Sequence, residues 1–190
     1  MPLPYQLYVF IDNSFLFLQG YKHVQNVANL GPTKHPYVDY LALRSFLLKQ
    51  GELKRAVIVG SDLPGSMISK CQAAGFEVST FPKYPEFKTG VLKEKGIDHK
   101  ICWEIAKTIF TNKDPVPNKK IILCTGDKDF MTVLSDIHTS NWAFELWLWT
   151  NSYSPKFAQQ VKVFGTVKVL DGEWKHFIKI GDKAAAAAAH

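Results

Sequence analysis

The chain has 190 residues, an apolar fraction of 46% and a charged fraction of 21%, the profile of one well-buried soluble domain. No run approaches about 20 consecutive apolar residues, and Cys71, Cys102 and Cys124 are odd in number, widely separated and without Cys-x-x-Cys spacing. This excludes a membrane-spanning helix, a disulfide framework and a zinc site. The net charge of +6 is carried almost wholly by lysine, Arg44 and Arg55 being the only arginines, and points toward polyanion partners held by point charges. The N-terminus enters "YQLYVFID" directly, with no leader pattern. A soluble intracellular protein of a reducing compartment, the cytoplasm, is therefore expected.

In chain order, β-rich runs alternate with helix-length amphipathic stretches. "YQLYVFI" (5–11) reads as a strand, "NSFLFLQGYKHV" (13–24) and "VDYLALRSFLLKQG" (38–51) as helices, "RAVIVGS" (55–61) as the second strand. "PGSMISKCQAAG" (64–75) is a helix, "FEVSTF" (76–81) a strand, and "IDHKICWEIAKTIF" (97–110) a helix. "KKIILCT" (119–125), "DKDFMTVLSDIH" (127–138) and "AFELWLW" (143–149) continue as strand, helix, strand, and "VKVFGTVKVLD" (161–171) can add an edge strand. This alternation predicts an α/β fold, a Rossmann-like three-layer sandwich around a mostly parallel central sheet. One domain is expected over residues 1–182, with the aperiodic "KAAAAAAH" end (183–190) an appended tail. Segments 82–95 and 111–119 are long for such a unit, and long loops tend to serve function.

In open parallel sheets ligands bind beyond the carboxyl ends of the strands, where chain order reverses. The residues just past the strands are Asp12 with Asn13, then Ser61 and Asp62, then Thr125, Gly126, Asp127 and Asp129. Asp98 opens a helix whose N-terminus reaches the same edge if the crossover is right-handed. Each acid also has a plainer use: Asp12 and Asp98 as helix N-caps, Asp127 and Asp129 as complements to a helix dipole, Asp62 as a turn residue, and Glu104 as a solvated face residue. If the aspartates converge, their repulsion requires protons or a cation, and in metal-free conditions at least one of them has a raised pKa. An all-oxygen donor set favours Mg²⁺ or Mn²⁺ over Zn²⁺, ions that assist phosphodiester cleavage.

Taken together, "YVFIDNS", "AGFEVSTFP", "KEKGIDHKICWEIAK", "IILCTGDKDFMTVL" and "FELWLW" resemble the NYN domain family, a branch of the PIN-like metal-dependent ribonucleases, over residues 6 to 170. The resemblance implies that Asp12, Asp98, Asp127 and Asp129 form a catalytic metal site. Glu104 then stands where many relatives carry a further aspartate, and Asn13, Glu104 and Thr125 are accessory. It implies a Mg²⁺- or Mn²⁺-dependent ribonuclease acting on single-stranded or structured RNA. One departure is Phe15, where many relatives have asparagine. Asn13 is the candidate to orient the attacking water in its place, and the alternative is a catalytically weak or inactive RNA-binding module of the same fold.

The 82–95 loop interleaves Lys83, Lys88, Lys93 and Lys95 with Tyr84 and Phe87 and leads into Asp98. Lysines neutralise phosphates and aromatics stack on unpaired bases, so these residues, with Lys128, are the candidate RNA contacts. The plainer reading is a solvated loop with its aromatics folded onto the core. Tyr153 and Lys156 are candidates for a further wall. A haloacid-dehalogenase-type phosphohydrolase needs a second acid two residues after Asp12, where Ser14 stands, and no Gly-x-Gly-x-x-Gly follows the first strand for a dinucleotide. Homodimerisation is left open.

Overall fold

The computed structural model describes residues 4–86, 89–113, 118–150 and 152–182. Phe87, Lys88 and the 183–190 tail lie outside the described residues. The chain begins with β1 (Gln6–Asp12), a π-helical turn (Phe15–Gln19), α1 (Gly20–Val27), β2 (Lys34–Val38), α2 (Tyr40–Leu48), β3 (Glu52–Ser61), α3 (Gly65–Ala73) and β4 (Glu77–Phe81). It continues through β5 (Tyr84–Pro85), β6 (Leu92–Lys93), α4 (Ile97–Thr111), β7 (Lys119–Cys124), α5 (Met131–Thr139), β8 (Ala143–Leu148), α6 (Pro155–Val161), β9 (Thr166–Val169) and β10 (Ile178–Asp182).

Six strands form the central sheet in the order β4-β3-β1-β7-β8-β9, and every neighbouring pair is parallel. β1 lies inside it, and Leu7 to Ile11 are all buried. A strand covered on both faces must be apolar at successive positions rather than at alternate ones. Each such side chain contributes about 1.5–3 kcal/mol by leaving water, which makes β1 a firm platform for Asp12 at its end. The chain first builds outward from β1 through β3 to β4, then returns to β7 on the other side and builds outward again. Right-handed crossovers in these two directions put helices on opposite faces. Accordingly α2 packs on α3, and α4 packs on α5 as well as on β1 and β3. The expected three-layer α/β architecture is thus present.

Three local features were not anticipated. The expected helix over 13–24 is present and unbroken, but Phe15–Gln19 within it form a π-helical turn that runs straight into α1. β2 pairs antiparallel with β10, from Lys34 opposite Asp182 to Val38 opposite Ile178. Within the 82–95 segment, β5 and β6 form a small antiparallel pair, Tyr84 opposite Lys93 and Pro85 opposite Leu92.

Candidate active site

The order of building reverses between β1 and β7, so a crevice opens beyond their carboxyl ends. β1 delivers Asp12 to it. β7 ends at Cys124, and Thr125, Gly126 and Asp127 follow. Thr125 is fully buried, and its Oγ1 accepts from the Asp127 N–H at 3.3 Å. Asp127 in turn accepts from the Asp129 N–H at 2.8 Å, capping the turn Lys128–Phe130. α4 runs back across the sheet with Asp98 in its first turn.

Asp12 and Asp127 line one cleft, Asp98 and Asp129 do not line it, and Asp98 lies near enough to feel the charges of the other three. Asp98 is pushed above the ordinary carboxyl range, first by burial, then by the charges of Asp127, Asp12 and Asp129. Asp12 is also pushed up, chiefly by burial, with Glu94 adding to the rise. Opposing this, the Ser14 hydroxyl donates to Asp12 Oδ1 at 2.7 Å and the Phe15 N–H donates to the same oxygen at 3.2 Å. Asp12 therefore does cap the following turn, and capping and membership of the acid group coexist in one side chain. Both carboxyls lie on the raised side, with burial the larger cause in each and the neighbouring acidic charges the smaller one.

A cleft of about 610 Å³ lies here, lined among others by Asp12, Ser14, Phe15, Asp127, Lys128 and Tyr153. Gly126 lets its walls close up: a Cβ there would fall 2.4 Å from the Ser152 carbonyl oxygen and 2.5 Å from the Phe15 ring. Phe15 is thus buried packing between the ends of β1 and β7, where an asparagine would have been polar. Tyr153 forms the wall expected of it, whereas Lys156 is exposed on α6 and does not line the cleft.

Glu104 departs from both readings of it. It is neither solvated nor joined to the aspartates: its side chain is 7% exposed and ion-paired to Arg55 at 2.7 Å and Lys100 at 2.6 Å. Burial raises its pKa, but the bonds and charges of Lys100 and Arg55 outweigh this and hold the carboxyl below its usual range. Helical spacing could not reveal the partner, because Arg55 comes from β3. Asn13 is buried beside Asp12. Asp62 is a turn residue at φ 48°, its carboxylate accepting from the Lys83 N–H at 3.4 Å.

Of the described RNA-contact candidates, Lys128 lines the acid cleft, and Lys83 lines a neighbouring pocket. Tyr84 and Lys95 are exposed, and Lys93 is ion-paired to Glu86. Sequence reasoning missed Glu94, whose charge reaches Asp12; its place four residues before Asp98 was the available signal.

The donor chemistry fits a hard divalent cation. The aspartates offer only oxygen, and the nearby thiols of Cys124 and Cys102 are pushed up by burial and by the charges of Asp12 and Asp98 respectively, so they stay protonated. Among the described residues, no three His, Cys, Asp or Glu side chains form a ready-made cage. Magnesium takes one or two direct carboxylates and completes its shell with water and substrate oxygens.

Among curated proteins none matches the sequence. The solved structure of a protein of unknown function from Vibrio parahaemolyticus is similar with a TM-score of 0.59 at 15% identity, covering 94% of this chain and 99% of that one. At that identity the likeness is one of fold. The family model for the NYN domain matches residues 6–166, a span that contains β1 with Asp12, α4 with Asp98, and β7 with the acids that follow it. The chain belongs to the NYN domain family, whose fold is nuclease-like.

Proposed function

We propose that the chain is a Mg²⁺- or Mn²⁺-dependent ribonuclease that hydrolyses phosphodiester bonds of single-stranded RNA. The observation that supports this reading is that Asp12 and Asp127 line one cleft at the reversal point of the sheet, with Asp98 raised first by burial and then by the charges of Asp127, Asp12 and Asp129. A divalent ion held there supplies Lewis-acid activation of water and neutralises charge on the phosphate. Asp12, Asp98 and Asp127 would hold it, with Asp129 beside them. Thr125 and Ser14 fix the acids: one accepts from the Asp127 backbone, the other donates to the Asp12 carboxylate. Lys128 at the cleft and Lys83 near it would neutralise backbone phosphates, and Tyr153 offers a ring on which an unpaired base can stack. Cys71, Cys102 and Cys124 are free thiols, which supports a reducing compartment such as the cytoplasm.

Cleavage of a labelled single-stranded RNA in Mn²⁺, in EDTA and by Asp127→Asn tests the proposal. Cutting should require Mn²⁺ and fall about a hundred- to thousandfold in the variant, the scale of several kcal/mol of lost charge stabilisation. Cutting that survives EDTA or the substitution would overturn it. A second reading, a module that binds RNA without cutting, is favoured by one observation: Phe15 packs its ring against Gly126 at the position where many relatives carry asparagine. Tight binding with no Mn²⁺-dependent product would establish that reading instead.

A further inference from the structure

The two most exposed aromatic side chains among the described residues, Trp103 at 63% and Phe110 at 69%, both lie on α4. The other four tryptophans are buried or half-buried, so a tryptophan left in water here is the exception that asks for a partner. Helical spacing gathers these rings into an outward strip. His99, Trp103 and Lys107 follow one another at i+4, and Ala106 and Phe110 fall beside them at i+3 and i+7 from Trp103. All five are exposed, while Ile97, Ile101, Ile105 and Thr108 hold the opposite face in the core. Just past the helix the Lys113 ammonium lies 4.0 Å from the centre of the Phe110 ring, so ring and charge already stand together.

The charge on this strip is of one sign. Of the two acids on α4, Asp98 is assigned to the proposed metal site and Glu104 is buried between Arg55 and Lys100. Lys107 and Lys113 form no salt bridge with any described residue. Aromatics are enriched at the centres of protein interfaces, but lysine is depleted there. Rings interleaved with unpaired lysines suit single-stranded nucleic acid instead, because bases stack on the rings and lysines neutralise the phosphates. The spacing fits as well: at about 1.5 Å per residue the two rings stand about 10.5 Å apart along the axis, the length of about three nucleotides of a stacked strand at roughly 3.4 Å each. The strip opens at His99, the residue after Asp98. Ahead of it Gly96 has no atom within 4 Å of where a Cβ would stand, and Lys95 is exposed, so the start of α4 leaves room for a strand to pass between the acids and the strip.

We propose that the outward face of α4 is a track for the RNA strand flanking the cut, with Trp103 and Phe110 each stacking an unpaired base and Lys107 and Lys113 meeting the phosphates between them. The assignment rests on the ribonuclease reading and deepens it: it adds a footprint of several nucleotides on one side of the acids and requires those nucleotides to be unpaired.

Fluorescence anisotropy with labelled oligo(U) in metal-free EDTA buffer measures binding apart from cutting. Trp103→Ala and Phe110→Ala should each weaken binding about five- to thirtyfold, the worth of one stacked base, and Trp103→Phe, which keeps a ring, should retain most of it. Lys107→Ala should lower the slope of log affinity against log salt by about 0.7, one phosphate contact on a single strand, whereas Trp103→Ala should leave that slope unchanged. Trp103→Ala should also leave binding of the annealed oligo(A)·oligo(U) duplex unchanged, since paired bases cannot stack on the ring. Undiminished oligo(U) binding by Trp103→Ala, or a loss that falls equally on the duplex, overturns the proposal. So does light scattering in which Trp103→Ala turns a dimer into a monomer without weakening RNA binding, which would give this face to a second copy of the chain. Trp103-dependent binding without any Mn²⁺-dependent cutting would sustain the track while removing the nuclease. Mn²⁺-dependent cutting with binding indifferent to Trp103 would do the reverse.

Discussion

Asp98 and Glu104 stand six residues apart on α4, yet their settings are opposite. Asp98, in the first turn, is half-buried among the charges of Asp12, Asp127 and Asp129, and is raised. Glu104, in the middle of the helix, is more deeply buried but held between Arg55 and Lys100, and is lowered. Burial alone would raise both. The sign is decided by the partners, so the carboxylate left among its own kind is the one the proposed metal site would use, while the neutralised one ties α4 to β3.

The largest way to break this contrast is Glu104→Ala. Removing one member of a buried ion pair costs about 3–5 kcal/mol, and the low end is expected because Arg55 keeps Glu77 at 2.6 Å. Urea denaturation should show the loss, while the proposed Mn²⁺-dependent cutting should be kept by the protein that remains folded. If Glu104 were a metal ligand instead, the ion would protect the native protein less in the variant, and that comparison decides between the two roles.

A smaller and opposite effect is expected of Asp98→Asn. Like charges about 4 Å apart in water repel by roughly 1 kcal/mol, and relief of that size raises the melting temperature of a domain this large by about 2–4 °C. Calorimetry in EDTA at pH 7 should show the rise, with Mn²⁺ stabilising the variant less than the parent. A variant that melts lower in EDTA would mean that Asp98 is not repelled.

Acidity sharpens the contrast most finely. Asp12 and Asp98 lie above the unfolded aspartate value of about 3.9, so what they contribute to stability is present below that pH and lost as pH rises through their folded values. Glu104 lies below the unfolded value of about 4.3, so its contribution is present above that pH and lost as pH falls through its folded value. Carboxyl titration by NMR in metal-free buffer should place Asp12 and Asp98 on the high side and Glu104 on the low side.

The sheet was legible because its strands are apolar over successive residues and end in punctuation: "YVFI" stops at Asp12, "IILC" at Thr125-Gly126-Asp127. The aspartates could be read as converging from topology alone, since carboxyl ends of parallel strands share an edge. What escaped depends on contacts far apart in the chain. Arg55 meets Glu104 across 49 residues, which no helical spacing encodes. β2 carries Pro36 and pairs with β10 across more than a hundred residues, so "KHPYV" has neither the length nor the alternation of a strand that can be recognised by itself. Trp103 and Phe110 look in sequence like ordinary members of an amphipathic helix, and only their exposure sets them apart.

The β2–β10 pair bears on where this protein can be trimmed. The match to the family ends at residue 166, before Leu170, Phe177 and Ile178, all of which are buried. Phe177 lies against Phe46 and Trp149, and Asp171 accepts from the Thr150 N–H at 2.9 Å, just ahead of the segment that walls the cleft. A version cut at the family boundary would bare greasy rings and slacken one jaw of the acid cleft, so the clasp made by the last strand belongs to the smallest stable unit.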